Sequence, residues 1–271
     1  MSGTKETREE RLVSVVGVWE ELTQKLVHEY VRDYHTLKRG AALRDMTPLS
    51  EDRGLKCYFI DNDLRRMKEN FYVYCKLLIA VQQEAESGGD SFAGYEPFLY
   101  GLLSDSPEIY DWLAKAELKH KDQVKTPHFT FHQFQLVIRR DDEGLRKTIA
   151  VMARQGSNRN RVLAQAGQDF FSLLLNQDVD GLQALIEDLA KIKSVNELES
   201  QFLAGFAVIH AKLCWYRGLE VKVRNSLVPM PLMPIKPLET YEIEYDFLRA
   251  DWTPPPPPGF FAKAKRLFSG R

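Results

Sequence analysis

Apolar residues recur at three- and four-residue steps through most of this chain, the period of helices that each bury one face. Leu12, Val15, Trp19, Leu22, Leu26, Tyr30 and Tyr34 make the first stripe, and Glu20, Glu21, Lys25, Glu29 and Arg32 fall largely between them. Gly40 and Pro48 bracket its end. Leu64, Met67, Phe71, Tyr74, Cys75, Leu78 and Val81 make a second stripe, with Asp61 or Asp63 as its cap and Ser87-Gly88-Gly89 as its stop. Two shorter helices are expected over Tyr95 to Leu103 and Pro107 to Ala116, joined by SDSPE, where proline beside an acid marks a helix start. Residues 127–155 predict two more, broken near Asp141 to Gly144. Residues 161–175 and 179–192 read as a hairpin around Asn176-Gln177-Asp178, and 195–216 as one long last helix. Its stripe of Leu198, Phe202, Phe206, Ile209, Leu213 and Tyr216, widened by Leu203 and Val208, predicts a central position. LEVKV at 219–223 alternates as a strand would, but no partner strand is evident. The expected fold is all-α, an array of antiparallel helix pairs. The last three helices have the spacing of a helical-repeat unit without the tetratricopeptide signature residues.

At Trp215 the pattern changes. Pro229, Pro231, Pro234 and Pro237 each fix φ and remove a backbone donor, so no helix runs through WYRGLEVKVRNSLVPMPLMPIKPLETYEIEYDFL. A free linker would be polar or glycine-rich. Here the prolines alternate with Leu227, Val228, Met230, Leu232, Met233, Ile235 and Leu238, so an extended segment docked on the helices is expected. It leads to Glu239, Tyr241, Glu242, Glu244, Tyr245 and Asp246, aromatics interleaved with carboxylates, the candidate partner-binding set. The same tyrosines equally suit docking of the segment itself. Residues 1–253 are expected to form one helical domain, with 156–160 as the place for any subdivision. Residues 254–271 carry a five-proline run, a polyproline II spacer, and then a basic, mobile tail.

Bulk properties narrow the function. With 44% apolar and 28% charged residues, the chain is an ordinary globular one and not a disordered or fibrous one. A formal net charge of -1 excludes the overall basicity of a nucleic-acid binder. Cys57, Cys75 and Cys214 are widely spaced among apolar neighbours and read as buried thiols in a reducing compartment. The first residues lack the basic start and continuous apolar core of a secretory signal, and no run reaches the roughly 20 apolar residues of a membrane span. The cytoplasm is the expected location.

Catalytic and metal chemistry find little footing. His128 and His132 share a helix face with His120 nearby, but their neighbours Phe129, Thr130 and Phe131 supply no carboxylate, and a structural pair is the simpler assignment. No GxSxG elbow, GxxxxGK[ST] or GxGxxG occurs, and GQDFFS does not replace them. No catalytic residue, metal ligand or cofactor is therefore assigned. Two charged clusters remain, a basic one from Arg139 to Arg161 and an acidic one over Asp178 to Glu199. Solvated helix faces and helix termini are the favoured account of both, with contact to nucleic acid or an acidic protein as the alternative for the basic one.

The run from the apolar helix into WYRGLEVKVRNSLVP and MPIKPLETYEIEYDFL resembles the immunity protein 49 family of bacteria, most strongly over about Leu163 to Leu248. A fainter likeness extends through NDLRRMKENFYVYCKLLIAVQQ. The resemblance implies an all-helical protein that binds a cognate toxin domain tightly, one-to-one, and protects the producing cell. It transfers no catalytic residues. The tail from Pro254 departs from the family pattern. A helical adaptor that holds a host-cell protein or peptide is the alternative.

Overall fold

The computed structural model describes residues 6–84, 92–192 and 198–257. Side-chain caps set half of the α-helix starts among the described residues. Thr7 forms a reciprocal capping box with Glu10 at the head of α1 (Arg8–Arg32). Asp63 accepts from Arg66 N at the head of α4 (Leu64–Gln83), and Ser106 caps α6 (Pro107–Lys115). Asp141, Asp169 and Asp178 do the same for α8 (Asp142–Gln155), α10 (Phe170–Leu175) and α11 (Val179–Leu189). The remaining helices are α2 (Arg39–Asp45), α3 (Thr47–Phe59), α5 (Glu96–Leu103), α7 (Pro127–Arg139), α9 (Asn158–Ala166) and α12 (Gly205–Tyr216). Among the described residues there is no strand. Chain neighbours pack on one another, α3 on α4, α6 on α7, α8 on α9 and α10 on α11, while α1 lies over α3 and α12 reaches α5 and α7. The expected all-α array is the observed architecture.

Three boundaries differ from the sequence expectation. Pro48 does not merely follow the end of α1; it sits in the first turn of α3, where its missing N–H costs nothing. The α3 sequence TPLSEDRGLKCYF hides its periodicity because Ser50, Asp52 and Gly54 occupy buried positions alongside Leu49, Leu55 and Cys57. Gly54 lets α3 approach α4 closely, since a Cβ there would lie 2.3 Å from Cε1 of Phe71. Residues 161–175 form two helices, broken where Gly167 turns left-handed at φ 67°. The expected helix over 195–216 is α12 alone within the described residues, preceded by a 3-10 turn at Glu199–Gln201. Phe206 leaves the predicted stripe and is 37% exposed, resting against the Tyr95 ring at 4.7 Å.

α12 is buried almost all round, with Ala207, Val208, Ile209, Ala211, Leu213 and Cys214 inaccessible. One continuous apolar cluster joins it to Leu12 of α1, Phe71 of α4, Phe98 of α5, Phe134 of α7, Leu182 of α11 and Met233 beyond. That cluster draws on residues from both sides of 156–160. A smaller cluster gathers Tyr30, Leu43, Met46, Val73, Leu77, Tyr245 and Leu248. Among the described residues no helix is long and apolar enough to cross a membrane.

Candidate functional site

The candidate set lies on the segment after α12, so its geometry begins with how that segment is held. Gly218, at φ 83°, turns the chain out of α12, and Leu219 N bonds back to Cys214 O at 2.9 Å. LEVKV then runs extended without a strand to pair with. Side chains of α11 replace the missing partner. Gln183 Oε1 accepts from Lys222 N at 2.7 Å, and Glu187 Oε1, one helical turn on, accepts from Arg224 N. Val221 and Val223 meanwhile enter the core. The alternation that looked like a strand is a two-faced strap on a helix.

The proline run is fastened by a buried charge cluster. Asp105, at φ 57° in the α5–α6 turn, is 2% exposed and meets two ammonium groups. Lys212 Nζ of α12 stands 2.6 Å from its Oδ1 and Lys68 Nζ of α4 stands 2.7 Å from its Oδ2. Both lysines also donate to the segment's carbonyls, Lys212 to Leu232 O at 2.6 Å and Lys68 to Lys236 O at 2.6 Å. Lys236 N completes the ring by donating to Asp105 Oδ2 at 3.2 Å. Prolines remove backbone donors, so the carbonyls of this stretch need donors from elsewhere. The two lysines provide them. Burial lowers the Lys212 pKa to about 8 despite the carboxylate beside it.

Beyond this clamp, side chains alternate in direction. Tyr241 turns inward, packs on Tyr72 with ring centres 4.8 Å apart, donates to Ser104 O at 2.9 Å and accepts from Leu238 N at 3.1 Å. Tyr245 is buried in the smaller cluster, where Phe247 lies parallel to it at 5.4 Å. Trp252 continues the contact onto Tyr34, just past α1, at 5.4 Å, and His35 Nε2 lies 2.7 Å from Pro255 O. Residues 252–257 thus run along the end of α1, while 258–271, with the basic tail, fall outside the described residues. Both tyrosines of the candidate set therefore anchor the segment.

Its four carboxylates face solvent. Glu244 pairs with Arg53 of α3 at 2.6 Å, Glu242 approaches Arg65 of α4 at 3.7 Å, and Asp246 pairs with Arg249 at 3.1 Å. Glu239 is in no ion pair within the described residues. The acidic run of the sequence is thus, in space, a surface of alternating charge. Glu242 and Glu244 border a groove of about 580 Å³ whose other walls include Glu20, Arg53, Lys56, Arg66 and Glu69. Exposed pairs of this kind contribute little stability, roughly 0–1 kcal/mol each, and exchange partners readily.

The other sequence features settle into structural roles. Arg139 and Arg140 of the basic cluster donate to Ala114 O and Tyr216 O, and Lys147 pairs with Glu143. Asp178 is a helix cap, as are Asp141 and Asp63. The three cysteines are buried and reduced, and burial raises each thiol pKa, that of Cys214 to about 12. His120 and His128 meet edge to face at 6.0 Å. Among the described residues no group of three or more His, Cys, Asp or Glu is placed to hold a metal ion.

Two ionisable clusters escaped sequence reasoning. The Lys68–Asp105–Lys212 clamp leaves one trace, a lone lysine inside the apolar run FAVIHAKLCW. The second joins Glu51, Tyr100, Glu199 and Tyr95. Tyr100 Oη lies 2.7 Å from Glu51 Oε1 and 3.1 Å from Glu199 Oε2, with one proton to share between them, and Tyr95 Oη donates to Glu199 at 2.8 Å. Desolvation raises Glu51 to about 8, Glu199 to about 7 and neighbouring Asp52 to about 6. The residues come from α3, α5 and the turn before α12, a coincidence no local pattern announces.

Comparison with protein-family models, curated proteins and solved structures gives no match for this chain.

Proposed function

We propose that this chain is an immunity-type protein that binds a bacterial toxin domain one-to-one in the cytoplasm and occludes its active site. One observation carries the reading: an irregular segment, clamped from below by Asp105, Lys68 and Lys212, holds Tyr241 and Tyr245 inward and displays Glu239, Glu242, Glu244 and Asp246 outward. An inhibitor gains affinity when its contact surface is ordered before binding, because less entropy is lost on association. The alternating charges of the groove supply selectivity, since each cation and carboxylate must find its opposite on the partner. A toxin with a basic cleft takes over the carboxylates from Arg53, Arg65 and Arg249. The family resemblance of residues 163–248 points the same way.

The test is co-expression with the toxin domain encoded beside this protein. Protection from growth arrest is expected, together with a stoichiometric complex of the purified pair. Glu242→Lys with Glu244→Lys should slow association by roughly tenfold or more at low ionic strength, with an unchanged helical spectrum. Growth arrest undiminished by co-expression refutes the function. Protection with unaltered association of the double variant moves the interface away from this face.

A further inference from the structure

A second cavity lies in the other half of the molecule, among α7 to α12. It encloses about 440 Å³, within the range of roughly 300–1,000 Å³ that small ligands occupy. Its walls are mostly apolar, formed by Met152, Leu163, Phe170, Leu185, Leu189 and Ile192. Two buried polar side chains also line it, His210 of α12 and Gln133 of α7.

The hydrogen-bond chemistry of both can be worked out. His210 Nδ1 bonds Phe206 O, and a carbonyl only accepts, so Nδ1 carries the proton. Burial among Phe170, at 4.1 Å, and Phe134, at 5.4 Å, holds the ring neutral, with a pKa near 4. Nε2 is then an acceptor. Thr148 Oγ1 donates to Leu145 O at 2.8 Å, which uses its only proton. Its contact with Gln133 Nε2 at 3.2 Å therefore has the amide as donor, and the amide orientation follows. Gln133 Oε1 is left buried with no protein donor. Buried acceptors without donors are uncommon in folded proteins. Here one such acceptor, Gln133 Oε1, lines the same cavity as the His210 ring.

We propose that this cavity is a binding site for a compact, uncharged aromatic molecule bearing an N–H or O–H donor, of the indole or phenol class. The ring fills the space between Phe170, Leu163 and Leu185, and its donor satisfies His210 Nε2 or Gln133 Oε1. The inward acceptors oppose an anion beside them, and Arg159, the cation among the lining residues, is exposed to solvent. Of the carboxylates at the rim, Asp169 caps α10 and the exposed Asp188 pairs with Lys191 at 2.7 Å. The site is separate from the proposed toxin-binding face and does not depend on it.

Calorimetric titration of the full chain with indole and 1-methylindole, and with 4-methylphenol and 4-methylanisole, tests this. Each pair keeps the ring and removes the donor. The donor-bearing member should bind roughly tenfold or more tightly, the equivalent of one hydrogen bond of about 1.4 kcal/mol. Leu163→Trp, which fills the cavity from α9, should abolish binding of both. If that variant does not fold, the comparison on the native chain decides alone. Failure of all four compounds to bind at millimolar concentration, or equal affinity within each pair, overturns the proposal and leaves a cavity whose acceptors are served by water.

Discussion

Asp105→Asn separates the buried clamp from everything around it. Asparagine matches aspartate in size and tolerates the left-handed backbone at φ 57°, so the substitution removes charge without adding backbone strain. Two ammonium groups, with side chains 6% and 0% exposed, would then share a neutral partner. Breaking a buried ion pair by removing one charge costs roughly 3–5 kcal/mol, because the remaining charge stays desolvated. Two orphaned lysines place this site at the upper part of that range. For a chain of this size each kcal/mol moves Tm by about 2–4 °C, so a fall of roughly 10–20 °C is expected in a thermal melt. The lysines also hold Leu232 O and Lys236 O, so the proline segment should loosen first. Limited proteolysis should therefore gain cleavage within residues 230–245 before the helices yield. A Tm drop below about 3 °C, with an unchanged digestion pattern, would refute the view that charge burial fastens this segment.

Other perturbations test separate links. Glu51, Glu199 and Asp52 have folded-state pKa values near 8, 7 and 6, above their ordinary values, so the folded chain holds protons that the unfolded chain releases. Their contribution to stability therefore declines as pH rises from about 4.5 to 8. Thermal melts across that window should show a shallower decline for Glu51→Gln than for the native chain; an identical slope would exclude Glu51 as a contributor. Gly54→Ala should destabilise by about 1–3 kcal/mol in denaturant titration, because its Cβ collides with the Phe71 ring at the α3–α4 contact. A neutral substitution there would mean the two helices separate easily. Ending the chain after Arg249 should lower Tm by several degrees relative to ending it after Pro257, since only the shorter form loses the Trp252 contacts with Tyr30 and Tyr34. Equal melting of the two forms would show that residues 252–257 add nothing.

Much of the helical architecture was legible along the chain because helix formation leaves a local record. Caps such as Asp63, Asp141 and Asp178 precede their helices directly, and the stripes of α1 and α4 repeat at helical spacing. The proline segment was legible as docked for a similar reason, its apolar residues being too frequent for a free linker. α3 was not, because Ser50, Asp52 and Gly54 stand where an apolar stripe would be, and only the approach of Phe71 explains the glycine. The direction of Tyr241 and Tyr245 was likewise open until Tyr72, Ser104 and the Tyr30 cluster came into contact with them. Charges and hydrogen bonds were least legible of all. Lys68, Asp105 and Lys212, or His210 and Gln133, meet only after the chain has closed on itself, and an electrostatic contact acts over a few ångströms of space regardless of sequence separation. Local sequence determined where helices begin and end; the tertiary structure decided which charged and polar groups were removed from water and what they had to meet there.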